Sequence, residues 1–180
     1  MLIRRKLIRE RAVELLDRFN IKKAPVAVVK LAERLGARVV KDPAPDDLSG
    51  FLLRNTQKNV VIIGVNENHH PNRRRFTIGH ELGHFLLHKG EELHVDKQWS
   101  GYHLKKRSAE SSAGTDIEEM EANLFAAELL MPVSFLDRDL EKLAPLSLSD
   151  EQKIKKLAEL YKVSEQALTL RLTYLGYIQQ

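Results

Sequence analysis

The sequence predicts an α+β fold: a small antiparallel or mixed sheet packed on the helix that carries His80-Glu81-Leu82-Gly83-His84, with a helical C-terminal part. Three observations predict it. Phe51 to Arg54 and Val60 to Val65 are apolar runs separated by the polar turn Asn55 to Asn59, the pattern of an antiparallel hairpin. Residues 73–89 place apolar side chains at helical spacing and stop before Gly90. The tail from Ser149 reads as two further helices, with Ser164 a suitable N-cap between them. The expected division is 1–135 for the domain bearing the motif and 136–180 for a small, helix-turn-helix-like subdomain.

The remaining elements follow in order. Met1 to Phe19 reads as an amphipathic helix, with Ile8, Leu15 and Leu16 among its apolar positions. Arg4, Arg5, Lys6, Arg9, Glu10 and Arg11 interrupt every apolar run there, so it lacks the continuous core of a signal peptide. No stretch approaches the roughly 18 apolar residues of a membrane span. A cytoplasmic protein with no membrane partner is expected. A second helix should start at Pro25, a favourable first-turn residue, and end near Gly36. Ala37 to Lys41 is a short strand, and Asp42 to Asp47 a loop by its prolines and aspartates. Asn66 to Asn72 is a polar loop. Glu91 to Thr115 is a long polar stretch containing Trp99 and Tyr102, and its length suggests a cover over a cleft. A helix from Asp116 to Met131 is stopped by Pro132.

Composition narrows the chemistry. Across 180 residues, 43% are hydrophobic and 30% charged, an ordinary folded chain of about one domain. There is no cysteine, which removes disulfides, thiolate nucleophiles and cysteine-ligated metals. Any metal must be held by histidine, carboxylate, carbonyl or water. The net charge of +4 and pI near 9.3 tolerate an acidic partner without requiring one.

The pentapeptide at 80–84 has the form H-E-x-x-H. Residues four apart share a helix face, so both imidazoles can reach one ion, and the glutamate between them can reach a water on it. Zinc suits two imidazoles, and the chemistry is metal-assisted hydrolysis. Shuffling this composition yields the motif on the order of 0.02 times. Ile78, Leu82, Phe85 and Leu86 fall opposite His80 and His84, so the helix should bury one side and present the histidines on the other. Gly79 and Gly83 suit close approach by another backbone or a substrate.

A third ligand must come from elsewhere. A downstream histidine of the metzincin type is excluded, because position 87 is Leu and position 90 is Gly. The helix from Asp116 offers Glu118, Glu119, Glu121 and Glu128. Glu118, Glu121 and Glu128 lie within an arc of about 80° and read as the solvated side. Glu119 lies in line with Ala122, Asn123, Ala126 and Leu130, where a carboxylate needs a partner such as a metal. Glu119 is therefore the favoured ligand and Glu121 the second choice. A capping box from Asp116 to Glu119 is the structural alternative. Asn123 could hold a ligating histidine by its second nitrogen.

These residues resemble a known family. Arg75-Phe76-Thr77-Ile78-Gly79-His80-Glu81-Leu82-Gly83-His84, together with Glu119-Met120-Glu121-Ala122-Asn123-Leu124-Phe125-Ala126-Ala127-Glu128-Leu129-Leu130-Met131-Pro132, are similar to the ImmA/IrrE metallopeptidases. The likeness covers roughly Ala24 to Pro132, and the tail around Tyr161, Val163, Ser164, Ala167 and Arg171 is similar too. It implies a zinc-dependent endopeptidase that cleaves a helix-turn-helix repressor and so switches on that repressor's genes. His80 and His84 would be ligands, Glu81 the general base, and Glu119 the third ligand. Many members carry their own N-terminal helix-turn-helix, for which this chain has no room, so a separate repressor is the expected partner. The strand Val60 to Val65 could pair with an extended substrate. His69, His70, Tyr102 and His103 are candidates for stabilising the oxyanion.

The competing reading is a non-catalytic regulatory or DNA-binding module. Arg73-Arg74-Arg75 is a basic run, and the region around Ser164 has a helix-turn-helix look. Glu165 to Tyr174, however, carries a single arginine and a single glutamate, too little charge for a recognition helix. Direct nucleic-acid binding is therefore not expected.

Overall fold

A computed structural model describes residues 2–55, 57–89, 93–97, 109–144 and 149–178. The elements run α1 (Arg5–Arg18), α2 (Val28–Arg34), β1 (Ala37–Asp42), β2 (Leu48–Asn55), β3 (Val60–Asn66), α3 (Pro71–Leu87), β4 (Leu93–Lys97), α4 (Ala109–Leu130), α5 (Val133–Leu143), α6 (Asp150–Tyr161) and α7 (Glu165–Leu175). This is the expected α+β architecture, a mixed sheet with a helical C-terminal part.

The sheet order is β1-β3-β2-β4. β1 runs parallel to β3, and β2 is antiparallel to both β3 and β4. The hairpin of β2 and β3 is as the apolar runs predict. β3 is an interior strand with β1 on one side and β2 on the other, so it has no edge left for a substrate and that expectation is corrected. β4 is an edge strand, and its Leu93 and Val95 side chains are exposed.

The helices stack outward from the sheet. α3 contacts β2 and β3 on one side and α4 on the other, and α4 contacts α1 in turn. The glycines explain the close α3–α4 approach. A Cβ on Gly83 would lie 2.9 Å from Ala122 Cα, and one on Gly79 would lie 3.3 Å from Ala126 Cβ. The backbone that approaches them belongs to α4. Ile78 and Leu82 of α3 join Leu52, Ile63, Phe125 and Leu129 in the core. At about 25 cal/mol per Å² of apolar surface, this burial is the main stabilising contribution.

Several boundaries differ from the expectation. α2 starts at Val28 rather than Pro25, because the Val26 carbonyl is taken by Val28 N and by Arg75 Nη2, the latter at 2.9 Å. α3 starts at Pro71, its first turn capped by His70, whose Nδ1 accepts from Asn72 N at 3.2 Å. α4 begins seven residues before Asp116, so Asp116 is inside the helix and the capping-box alternative for Glu119 is overturned. Part of the stretch 91–115 is the strand β4, which the polar composition concealed. Trp99, Tyr102 and His103 lie outside the described residues, as does the cover proposed for them.

The helix-face reading of two glutamates is also corrected. Glu121 and Glu128 are 2% and 3% exposed, not solvated. Glu121 pairs with Arg4 at the start of α1, and Glu128 with Arg9 of α1 and Arg171 of α7. Helical periodicity separates two faces of α4, but here both faces are covered. The arginines that cover the second face come from chain segments far away in sequence.

The C-terminal helices are tied back to this stack. Tyr161 Oη donates to Asp139 Oδ2 at 3.0 Å, and Arg171 Nε donates to the Met131 carbonyl at 3.2 Å. Ser164 caps α7 as expected, accepting from Ala167 N at 3.1 Å. Among the described residues no helix is long and apolar enough to cross a membrane.

Candidate metal centre

α3 presents His80 and His84 one turn apart, toward the side chain of Glu119 on α4. All of His80, Glu81 and His84 are buried, because the sheet and α4 cover α3 on both sides. The histidines are thus enclosed, where the amphipathic pattern predicts a face open on one side. His80 Nε2 lies 3.3 Å from Glu119 Oε2, and His84 Nε2 lies 3.3 Å from Glu119 Oε1. The two Nε2 atoms are 3.0 Å apart.

A fourth group completes the cluster. His94 of β4 places Nε2 3.2 Å from Glu119 Oε1 and stacks its ring 3.9 Å from that of His84. Donor atoms of His80, His84, His94 and Glu119 all lie within 4.8 Å of one another. Four donors held about 2.0–2.1 Å from one ion at tetrahedral angles stand roughly 3.3 Å apart. The observed separations of 3.0 to 3.3 Å match that edge length. The donor set therefore fits a divalent metal.

The outer contacts turn lone pairs inward. His80 Nδ1 is 3.0 Å from Asn123 Oδ1, an amide oxygen that can only accept, so the ring proton sits on Nδ1. His80 Nε2 then points a lone pair at the Glu119 carboxylate. Such a meeting in a buried place is unfavourable unless a proton or a cation lies between. Burial lowers the His84 imidazole to about 4, against the opposing pull of Glu119, so it is neutral near pH 7 and able to ligate. For Glu119, burial pushes the carboxyl up, but the imidazoles of His80, His84 and His94 gathered around it outweigh that and hold the group far below the usual carboxylate range. His94 is opposed by burial and raised on balance by Glu119 and by the charge of Glu81.

Glu81 lies outside this donor cluster. Its Oε1 is 3.7 Å from where a Cβ would sit on Gly50 of β2, an ordinary contact distance that places the carboxylate beside the strand; the groups such a Cβ would crowd are Thr77 Cγ2, at 2.5 Å, and the Gly64 carbonyl oxygen, at 2.6 Å. Arg54 of β2 closes the end of α3, with Nη2 donating to the His88 carbonyl at 3.3 Å and also to that of His84. A cation there complements the carbonyl end of the helix dipole.

The structure thus gathers His80, His84 and Glu119, and it holds Asn123 against His80. Glu121, the second choice for a ligand, instead faces His88 and Arg4. His94 was not singled out by sequence reasoning, because its place depends on pairing with Leu52 across the sheet. His69 and His70 do not join the cluster. His69 Nε2 is 3.2 Å from the Asp46 carbonyl, and His70 caps α3. The run Arg73-Arg74-Arg75 is spent on the fold. Arg73 binds Ser49 Oγ, Arg74 the Glu67 carbonyl, and Arg75 the carbonyls of Val26, Tyr161 and Lys162.

A mixed sheet under an H-E-x-x-H helix, with a glutamate from a second helix closing on both histidines, defines a metallopeptidase-like class of protein. The particular family follows from comparison: residues 32–173 match the Peptidase_M78 model, the IrrE N-terminal-like domain, and the chain belongs to that family. No curated protein matches the sequence. Among solved structures, a Mycobacterium tuberculosis transcriptional regulator is similar in fold, with a TM-score of 0.59 at 18% identity. The match covers 92% of this chain and 46% of the regulator, so the chain spans about half the length of that protein.

Proposed function

We propose that the chain is a zinc-dependent endopeptidase whose substrate is a helix-turn-helix repressor. The observation that carries this reading is the set of tetrahedral-edge separations among His80, His84 and Glu119, with Glu81 buried beside them. A zinc ion there would polarise the scissile carbonyl and acidify a water. Glu81 would accept a proton from the attacking water and return it to the leaving amine, so that one water and one peptide bond would give a carboxylate and an amine.

Four protein donors would close a tetrahedral site, whereas hydrolysis needs an open position. His94 is the donor that yields it. It is carried by a five-residue edge strand, while the other three stand on long helices locked through Gly79 and Gly83. The outer edge of β4 is unpaired among the described residues and suits an extended peptide added as a further strand.

The repressor substrate comes from the family resemblance. The fold shared with a protein named as a transcriptional regulator supports a regulatory context. A DNA-binding module is disfavoured, because the basic run at 73–75 is engaged with backbone carbonyls and Ser49. The test is to incubate the zinc-loaded protein with the helix-turn-helix repressors of its own organism, one at a time, and to weigh the products. Two fragments with the parent and intact repressor with Glu81→Gln are expected. Intact repressor with both, alongside tight binding of the two proteins, would favour the non-catalytic reading.

A further inference from the structure

Behind His84 lies a buried polar chain that the hydrolytic mechanism does not use. His84 Nδ1 is 3.2 Å from His88 Nδ1. His88 Nε2 is 3.1 Å from Glu121 Oε2. Glu121 accepts from the backbone N of Arg4 and from Arg4 Nε, both at 2.9 Å to Oε1, and also from Arg4 Nη2. His84, His88 and Glu121 are all buried, while Arg4 reaches in from the protein surface.

We propose that Arg4, Glu121 and His88 form a relay that sets the orientation and tautomer of His84, making the N-terminal segment a positioning part of the metal centre. The proposal rests on the metal-binding reading above for its consequence, but not for its geometry. Each link dictates the next. The Glu121 carboxylate, ion-paired with Arg4, can only accept, so His88 must carry its proton on Nε2. His88 Nδ1 is then a lone pair. A contact of 3.2 Å between two Nδ1 atoms needs one proton, and with His88 neutral that proton belongs to His84. His84 Nε2 is left as a lone pair aimed at Glu119 and, at 3.0 Å, at the His80 Nε2 lone pair, a gathering that a cation between them would satisfy. Asn123 does the same for His80 in one step. His84 is served in three, and the last of them joins Glu121 to Arg4, 117 residues apart, at the start of α1.

Outer partners of ligating histidines commonly matter by 10–100-fold in metal affinity. Glu121→Gln keeps an acceptor but can also present an amide donor to His88, and it loses the ion pair with Arg4. His88→Ala removes the link to His84 outright.

The experiment has two readouts on the full chain. Nitrogen-15 NMR of the metal-free protein reads the tautomers directly. His84 protonated on Nδ1 and His88 on Nε2 are expected, with the His84 preference lost in His88→Ala. Zinc affinity is then read by competition with a chromophoric chelator. A loss of about 10–100-fold is expected in Glu121→Gln and His88→Ala, and a smaller loss in Arg4→Ala. Zinc affinity equal to the parent in all three variants would overturn the relay while leaving the metal site standing. A parent that binds no zinc would overturn the metal reading, and the tautomer spectrum would still decide the relay. His84 protonated on Nε2 in that spectrum overturns it.

Discussion

Glu81 is wholly buried, beside Gly50 of β2 and outside the four-donor cluster. That placement suits a proton carrier, since a base must be near the reacting water without being consumed as a ligand. Glu81→Gln should keep metal uptake and lower the rate of peptide cleavage by about 10²–10⁴-fold, measured by fragment formation at matched metal content. The two histidines are the part of the centre most legible from sequence, because their one-turn spacing is a local property of a helix. Glu119 was legible from its helix face together with the family resemblance. Glu121 and Glu128 were misread by the same face logic, because no local pattern announces that Arg4, Arg9 and Arg171 will cover that side. His94 was illegible for a similar reason: only the β2–β4 register brings it opposite Leu52 and over His84.

At the scale of elements, the centre is a product of how closely α3 and α4 meet. Two of its donors ride on one helix and the carboxylate on the other, so the interhelical distance sets the donor spacing. Gly83 permits that distance, and a methyl group there would intrude to 2.9 Å of the Ala122 Cα. Gly83→Ala should destabilise the protein by about 1–3 kcal/mol, read from denaturant unfolding, and weaken metal binding by parting the helices. Unchanged stability and affinity would mean that the interface yields at no cost and that donor spacing is set elsewhere. The glycines themselves were visible as poor helix formers in a helical pattern, but the neighbour they admit was not. The hairpin, α3 and the capped α7 were legible because each has its own local signal. The strand β4 has none, being five residues within a long polar stretch.

At the scale of the molecule, α1 and α7 are held to α4 by ion pairs to the buried carboxylates Glu121 and Glu128 as well as by the apolar core. Hydrogen bonds from Arg4 hold the Glu121 carboxyl at about 2, below its usual range near 4.3. A carboxyl depressed in the folded state stabilises it above the unfolded value, and that contribution is lost as pH falls through the folded one. The metal-free protein should therefore lose unfolding free energy as pH drops from about 4.3 to about 2, with a shallower loss in Glu121→Gln. Equal pH profiles for parent and variant would show that Arg4 does not hold this carboxylate in solution. The fold class was legible at this scale, from a hairpin, a motif helix and a helical tail. The layering of sheet, α3, α4 and α1 was not, because it depends on contacts between segments remote in sequence.

The central claim is that α3 and α4 together hold one hydrolytic metal ion. The most direct test is zinc content per chain by elemental analysis, after zinc loading and desalting, of the parent beside His84→Ala, Glu119→Ala and Glu81→Gln. About one zinc is predicted in the parent and in Glu81→Gln, and none retained in His84→Ala or Glu119→Ala. A parent that retains no zinc, or a Glu119→Ala protein that retains as much as the parent, would contradict it.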